Sequence, residues 1–151
     1  MHPQNTPTGS LITKAMQPAL QGVIPSALAT CAADGTPNAT FISQVFYVDD
    51  GHVALSFQFM NKTWRNLQEN PVATVVVTCP ATFSEWKLRL RFLEKQTEGP
   101  LFDEMEMLLL AMSSMLRAKA EFSFQSALLC RVEAVQVVYG GISNLTDRQI
   151  A

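Results

Sequence analysis

From Val53 to Phe59 the chain alternates, with large apolar residues at Val53, Leu55, Phe57 and Phe59 and smaller or polar ones at Ala54, Ser56 and Gln58 between them. A two-residue period belongs to an extended strand with one face in a core, because a helix of 3.6 residues per turn would scatter these side chains round its cylinder. The same period returns further on, where Lys87, Arg89 and Arg91 alternate with Leu88, Leu90 and Phe92. Three cations therefore share one strand face, which must be wet, paired, or occupied by an anion. Residues 26–33 and 38–48 are also suited to strands, and the turn signal Asp34-Gly35-Thr36-Pro37 between them makes a hairpin. Asp49-Asp50-Gly51 supplies a second turn. Residues 72–79 form a nearly continuous β-branched run bounded by Pro71 and Pro80, the pattern of a strand covered on both faces. A last strand spans 128–139, with Arg131 and Glu133 on its exposed face. About six strands, mostly hairpin-linked with helices inserted, predict a mainly β antiparallel barrel and not an alternating α/β fold.

Helices occupy the remaining segments. Ser10 is placed to cap one that runs to Leu20, and Asn61 to cap a second that Asn70-Pro71 stops early. Gly99-Pro100 opens a third, reaching to about Lys119, whose stripe includes Phe102, Met105, Leu109 and Met112. Residues 107–112 (MLLLAM) are apolar almost all round yet too few to span a bilayer, so burial against the barrel and a second subunit is expected. The 151 residues suffice for one core and show no internal repeat. The expected division is an arm with a short helix over 1–24, the barrel over 25–140, and a tail over 141–151.

A net charge of −2 gives no general attraction to polyanions, which argues against nucleic acid as a partner. Cys31, Cys79 and Cys130 are isolated and odd in number, unlike a disulfide framework or a zinc site, and read as reduced core residues of a cytoplasmic protein. The polar first ten residues lack the pattern of a secretory signal, and no segment has membrane-spanning length.

The short helix carries Lys62 and Arg65 in its first turns. Unpaired N–H groups and the helix dipole make that end partly positive, so the two cations are either solvated surface residues or partners of an anion. Nothing else in the chain nominates catalytic chemistry: no Ser/His/Asp arrangement, metal motif or glycine-rich dinucleotide loop can be argued, and His2 and His52 lack the setting of a catalytic base. Any enzymatic reaction would be carried by a cofactor.

The order of these pieces resembles the pyridoxamine 5′-phosphate oxidase-like FMN-binding split barrels. The matching residues are Leu28-Ala-Thr30, the Asp34-Gly-Thr-Pro37 turn, a long second strand, a third strand ending in a small-polar and basic cluster, and Asn66-Leu67…Asn70-Pro71 before a valine-rich strand. The resemblance implies a six-stranded antiparallel Greek-key split barrel. It implies FMN, with the phosphate held by Asn61, Lys62 and Thr63 and the isoalloxazine beside Phe41, Ile42, Ser43, Ser56 and Gln58. It further implies a homodimer with the flavin between subunits, where Lys87, Arg89 and Arg91 approach the partner's cofactor. The implied chemistry is oxidoreduction, hydride passing through the flavin N5 to or from a small-molecule substrate or electron donor. A non-catalytic flavin- or ligand-sensing module, or the same fold with deazaflavin or haem, is the alternative. Two departures bear on this. The arginine-rich C-terminal segment of members that oxidise pyridoxamine phosphate has no counterpart in 140–151, so pyridoxal phosphate synthesis is not expected. The second strand, reading Asn38-Ala-Thr-Phe41, also lacks an arginine that some members direct at the flavin phosphate.

Overall fold

A computed structural model describes residues 11–21, 24–57, 61–115 and 124–141. A 3-10 helix at Lys14–Leu20 is followed by strands β1 (Ser26–Cys31), β2 (Pro37–Ile42), β3 (Val45–Asp49) and β4 (His52–Phe57). Helix α1 (Asn61–Glu69), strands β5 (Val72–Thr78) and β6 (Glu85–Gln96), helix α2 (Pro100–Met115) and strand β7 (Ser126–Tyr139) complete the described chain. The strands form one seven-stranded sheet in the order β2-β1-β5-β6-β7-β4-β3, with every neighbouring pair antiparallel.

Seven strands stand where the sequence suggests six, because residues 38–48 do not form one strand. The run breaks at Ser43-Gln44, and its halves lie at opposite ends of the sheet order. That link carries the chain across the seam where the sheet curls on itself. Ser56 secures it: its backbone N–H donates to the Gln44 carbonyl at 3.1 Å, and its hydroxyl accepts from the Gln44 N–H at 3.1 Å and donates to the same carbonyl at 3.3 Å. Among the described residues β2 pairs with β1 and β3 with β4, so these two strands remain the ends of the sheet order, joined through this link.

The barrel interior collects the inward residue of each alternating strand, among them Leu28, Leu55, Val75, Leu88 and Leu128, each at most 1% exposed. Ile12, Met16 and Leu20 join this core from the N-terminal side. The helix there starts at Lys14 after Thr13, whose side chain makes no capping bond; Ser10 lies outside the described residues. On the outer face, Ala54 and Ala127 pack with Met105 of α2. Within α2, Met105 and Leu109 are buried while Met107 and Leu110 point outward. The continuation of this helix to Lys119 lies outside the described residues.

Strand β5 corrects one reading. Ala73, Val75 and Val77 are buried, but Val72, Thr74 and Val76 are only half-buried, so the β-branched run is fully covered on one face only.

Candidate functional site

Helix α1 is docked on the β1–β2 hairpin by a bridge of polar side chains. Asn38 donates through Nδ2 to Thr63 at 3.1 Å and to Thr30 at 3.3 Å, and Asn66 donates to Thr30 at 3.1 Å. Thr63 is thereby 2% exposed, a helix anchor as much as a candidate ligand. An aromatic contact fixes the helix on another side. Trp64 meets Phe57 and Phe92 edge-to-face at 6.0 and 5.5 Å, and the Lys95 ammonium lies 4.7 Å from the Trp64 ring centre.

The exposed start of α1 is electropositive. No acid stands in its first turn, and Lys62 is exposed there, adding a full charge to the helix dipole. Asp34, in the β1–β2 turn, feels that charge. Its carboxyl is held below the usual range first by the Thr36 backbone N–H and side chain, and least by the Lys62 cation. Gly35, at φ +90°, supplies the left-handed step that lets this turn close.

Beside α1 lies the outer face of β2-β1-β5-β6. Its registers set two rows across the strands, Phe41–Ala27–Val76–Lys87 and Ala39–Ala29–Thr74–Arg89. The first row crosses three strand spacings, about 15 Å. Phe41 is 76% exposed at one end, Ala27, Ala29, Thr74 and Val76 form the middle, and cations stand at the other end. Arg91 binds Glu133 at 2.5 Å, while Arg131 and Arg89 lie 3.8 and 3.9 Å from the same carboxylate. One acid among three arginines leaves this end positive.

The residues expected at the site therefore separate. Lys62, Thr63 and the backbone of Asn61 come together at the start of α1, with Phe41 on the adjoining face. Ile42 is 4% exposed and belongs to the core, Ser43 is half-buried, and Ser56 is buried with its hydroxyl engaged by Gln44. Arg89 stands across the sheet from Phe41, while Gln58 lies outside the described residues. The sequence marks Asn66 as part of the Asn66-Leu67…Asn70-Pro71 pattern and Gln44 as either a core polar group or a flavin contact, but gives no sign that Asn38 and Asn66 position α1. The Asn38–Thr30 register was legible from the hairpin; the tie from Asn38 to α1 was not.

Elsewhere, His52 contacts Asp49 at 2.8 Å on an exposed turn. Among the described residues no group of three or more His, Cys, Asp or Glu side chains is placed to hold a metal, and no helix is long and apolar enough to cross a membrane.

Several solved structures share this architecture. An FMN-binding protein from Syntrophomonas wolfei subsp. wolfei has a TM-score of 0.68 at 17% identity, covering 82% of this chain and 84% of its own. HupZ of Group A Streptococcus gives 0.63 at 18% identity, covering 86% and 96%. HutZ, the heme storage protein from Vibrio cholerae, gives 0.54 at 15% identity, covering 83% and 94%. No curated protein matches in sequence. The family model described as Pyridoxamine 5′-phosphate oxidase matches residues 12–138, and the chain, a split barrel closed at Ser43-Gln44, belongs to that family.

Proposed function

We propose that the protein is an FMN-binding oxidoreductase that works as a homodimer. The observation that carries this reading is the start of α1, where an exposed lysine and a helix N-terminus meet without an acid in the first turn, next to a flat face of small residues. A phosphate would neutralise the first feature, and a planar ring has a floor on the second. Lys62 and the backbone N–H groups of the first turn would hold the phosphate. Thr63, held from behind by Asn38, would add its hydroxyl proton. Ala27, Ala29 and Ala39 would leave space for the ring, and Phe41 would border it.

Bound flavin supplies hydride transfer at its N5. The chain's own part is to bind, orient and exclude water. A second copy laid on the outer face would bury Phe41 and bring Lys87 or Arg89 toward the partner's site, adding positive charge beside an electron-rich ring. The family resemblance of the fold to an FMN-binding protein supports the cofactor, and to a heme storage protein supplies the rival. Denaturing the purified protein and measuring absorbance and mass of what is released separates the two: FMN at one per subunit supports the reading, whereas haem, or no release together with no uptake of added FMN, overturns it. Bleaching of the bound flavin by reduced nicotinamide distinguishes an enzyme from a sensing module.

A further inference from the structure

Two arginines face each other across the outer side of the sheet. Arg91 of β6 is paired in register with Arg131 of β7, and Arg89 stands on the same face two residues before Arg91. Like charges directly opposite on neighbouring strands repel, so a sheet with nothing to gain from this pairing would be better served by a neutral or acidic residue at one of the two positions. A register shift between Arg89 and Leu90 answers part of the repulsion. It leaves Glu133 as an extra residue of β7 between the partners of Leu90 and Arg89, and its carboxylate lies among all three guanidinium groups. Arg91 donates to it through Nε at 2.5 Å. Arg131 and Arg89 come no nearer than 3.8 and 3.9 Å, beyond hydrogen-bond reach, and among the described residues neither guanidinium makes another hydrogen bond. The acid nearest in register, Asp49 beside the His52 that pairs with Arg131, is taken up by His52 and the Gly51 N–H at 2.8 Å each.

Arg89 and Arg131, with side chains 59% and 52% exposed, therefore flank a fixed carboxylate with their N–H forks unused. In a chain of net charge −2 this concentration is no by-product of a basic composition. We propose that Arg89, Arg91 and Arg131 form a binding site for a small oxyanion of more than one charge, a phosphate- or carboxylate-bearing molecule. Arg89 and Arg131 donate to its oxygens, and Arg91, held by Glu133, supplies the third charge. Planar guanidinium forks match the paired oxygens of either group. Lys87, two residues before Arg89 on the same face of β6, adds charge along the approach. Glu133 has a double part: without ligand it holds the three cations together, and with ligand it competes for them. The site is separate from the start of α1, because Phe92, next to Arg91, turns to the core side and meets Trp64 of α1, which leaves the arginines on the other side of β6. It does not rest on the flavin reading.

The test is isothermal titration of the full-length protein carrying Lys62→Glu, which silences the cation at the start of α1, with pyrophosphate and citrate as probes at low ionic strength. At least one probe should bind at one per subunit, and the tighter of the two assigns the natural group to phosphate or to carboxylate. In that background Arg131→Gln should weaken binding about fivefold or more, whereas Glu133→Gln, which removes the competing charge and keeps the shape, should tighten it about fivefold or more. A merely solvated face gives neither change. Ligand-free Arg131→Gln should also melt above its parent at low salt, with the gap closing in about 1 M salt as relief of repulsion requires; this readout stands if Glu133→Gln fails to fold. No saturable binding of either probe, or binding that both substitutions leave unchanged, overturns the site. FMN uptake by the unsubstituted protein is scored separately: its absence overturns the flavin reading and leaves this one standing.

Discussion

At the scale of single residues, charge and hydrogen bonding at three positions make separable predictions. Lys62→Glu reverses the charge of the exposed lysine at the start of α1, so FMN affinity measured by fluorescence quenching should fall about tenfold or more. An unchanged affinity would place the phosphate elsewhere. Ser56→Ala leaves the Gln44 backbone N–H without its acceptor, and chemical denaturation should show a loss of about 1–3 kcal/mol. That loss should appear in the ligand-free protein, because the hydroxyl holds the seam whether or not a ligand is bound. Cys130 is a buried thiol pushed up to about 12 by burial. Since the folded state keeps this proton where the unfolded chain releases it, stability from this group is present below about pH 9 and falls as pH rises toward 12. Cys130→Val should flatten the decline in unfolding free energy between pH 8 and pH 10.5; an identical decline in both proteins would show that other groups cause it.

At the scale of elements, α1 is too short to be stable alone and owes its place to what it touches. The contacts of Trp64 with Phe57, Phe92 and the Lys95 ammonium set its orientation, while the Asn38–Thr63 bond sets its height over the hairpin. Trp64→Leu should cost about 1–3 kcal/mol in denaturation and also weaken FMN binding, although Trp64 need not touch the ligand. If FMN binding survives that loss intact, the helix is not what presents the phosphate site. The elements differ in how far they were legible. The strands at 53–57 and 87–92 announced themselves by period, and Asp34-Gly35 and Asn70-Pro71 marked their neighbours' ends by turn chemistry. The break at Ser43-Gln44 had no such mark: no Gly, Pro or Asp stands between Asn38 and Val48, and a barrel seam is a long-range event that local propensity does not encode. β5 misled for a related reason, since valine suits a half-open face as well as a covered one until the sheet order is known. The site divided along the same line. Lys62 was readable from helix electrostatics, whereas the engagement of Ser56 by Gln44 depends on two strands meeting across the seam.

At the scale of the whole molecule, the outer face of β2-β1-β5-β6 sets the remaining question. It exposes Phe41 and Ala39 at one end and Lys87 and Arg89 at the other, with Ala27, Ala29, Thr74 and Val76 between. Small side chains make a flat surface that a second sheet can approach closely, and a large exposed aromatic on such a surface is a candidate anchor for an interface. A two-fold axis through the face would set each copy's cationic end against the other's aromatic end, avoiding the repulsion of two arginine clusters. Substitution can separate this pairing from the cofactor site, because Val76 shares the outer face but lies in β5, one strand beyond the alanines that floor the ring. Val76→Arg should turn a dimer into a monomer by light scattering while leaving the ligand-free melting temperature of the protomer within a few degrees. If the ring is held between subunits, the same variant should lose FMN affinity although Lys62 is untouched, and wild-type affinity should rise with protein concentration through the dimerisation range. A variant that becomes monomeric and still binds FMN as wild type would confine the whole cofactor site to one chain and leave the basic end of the face without a part in it.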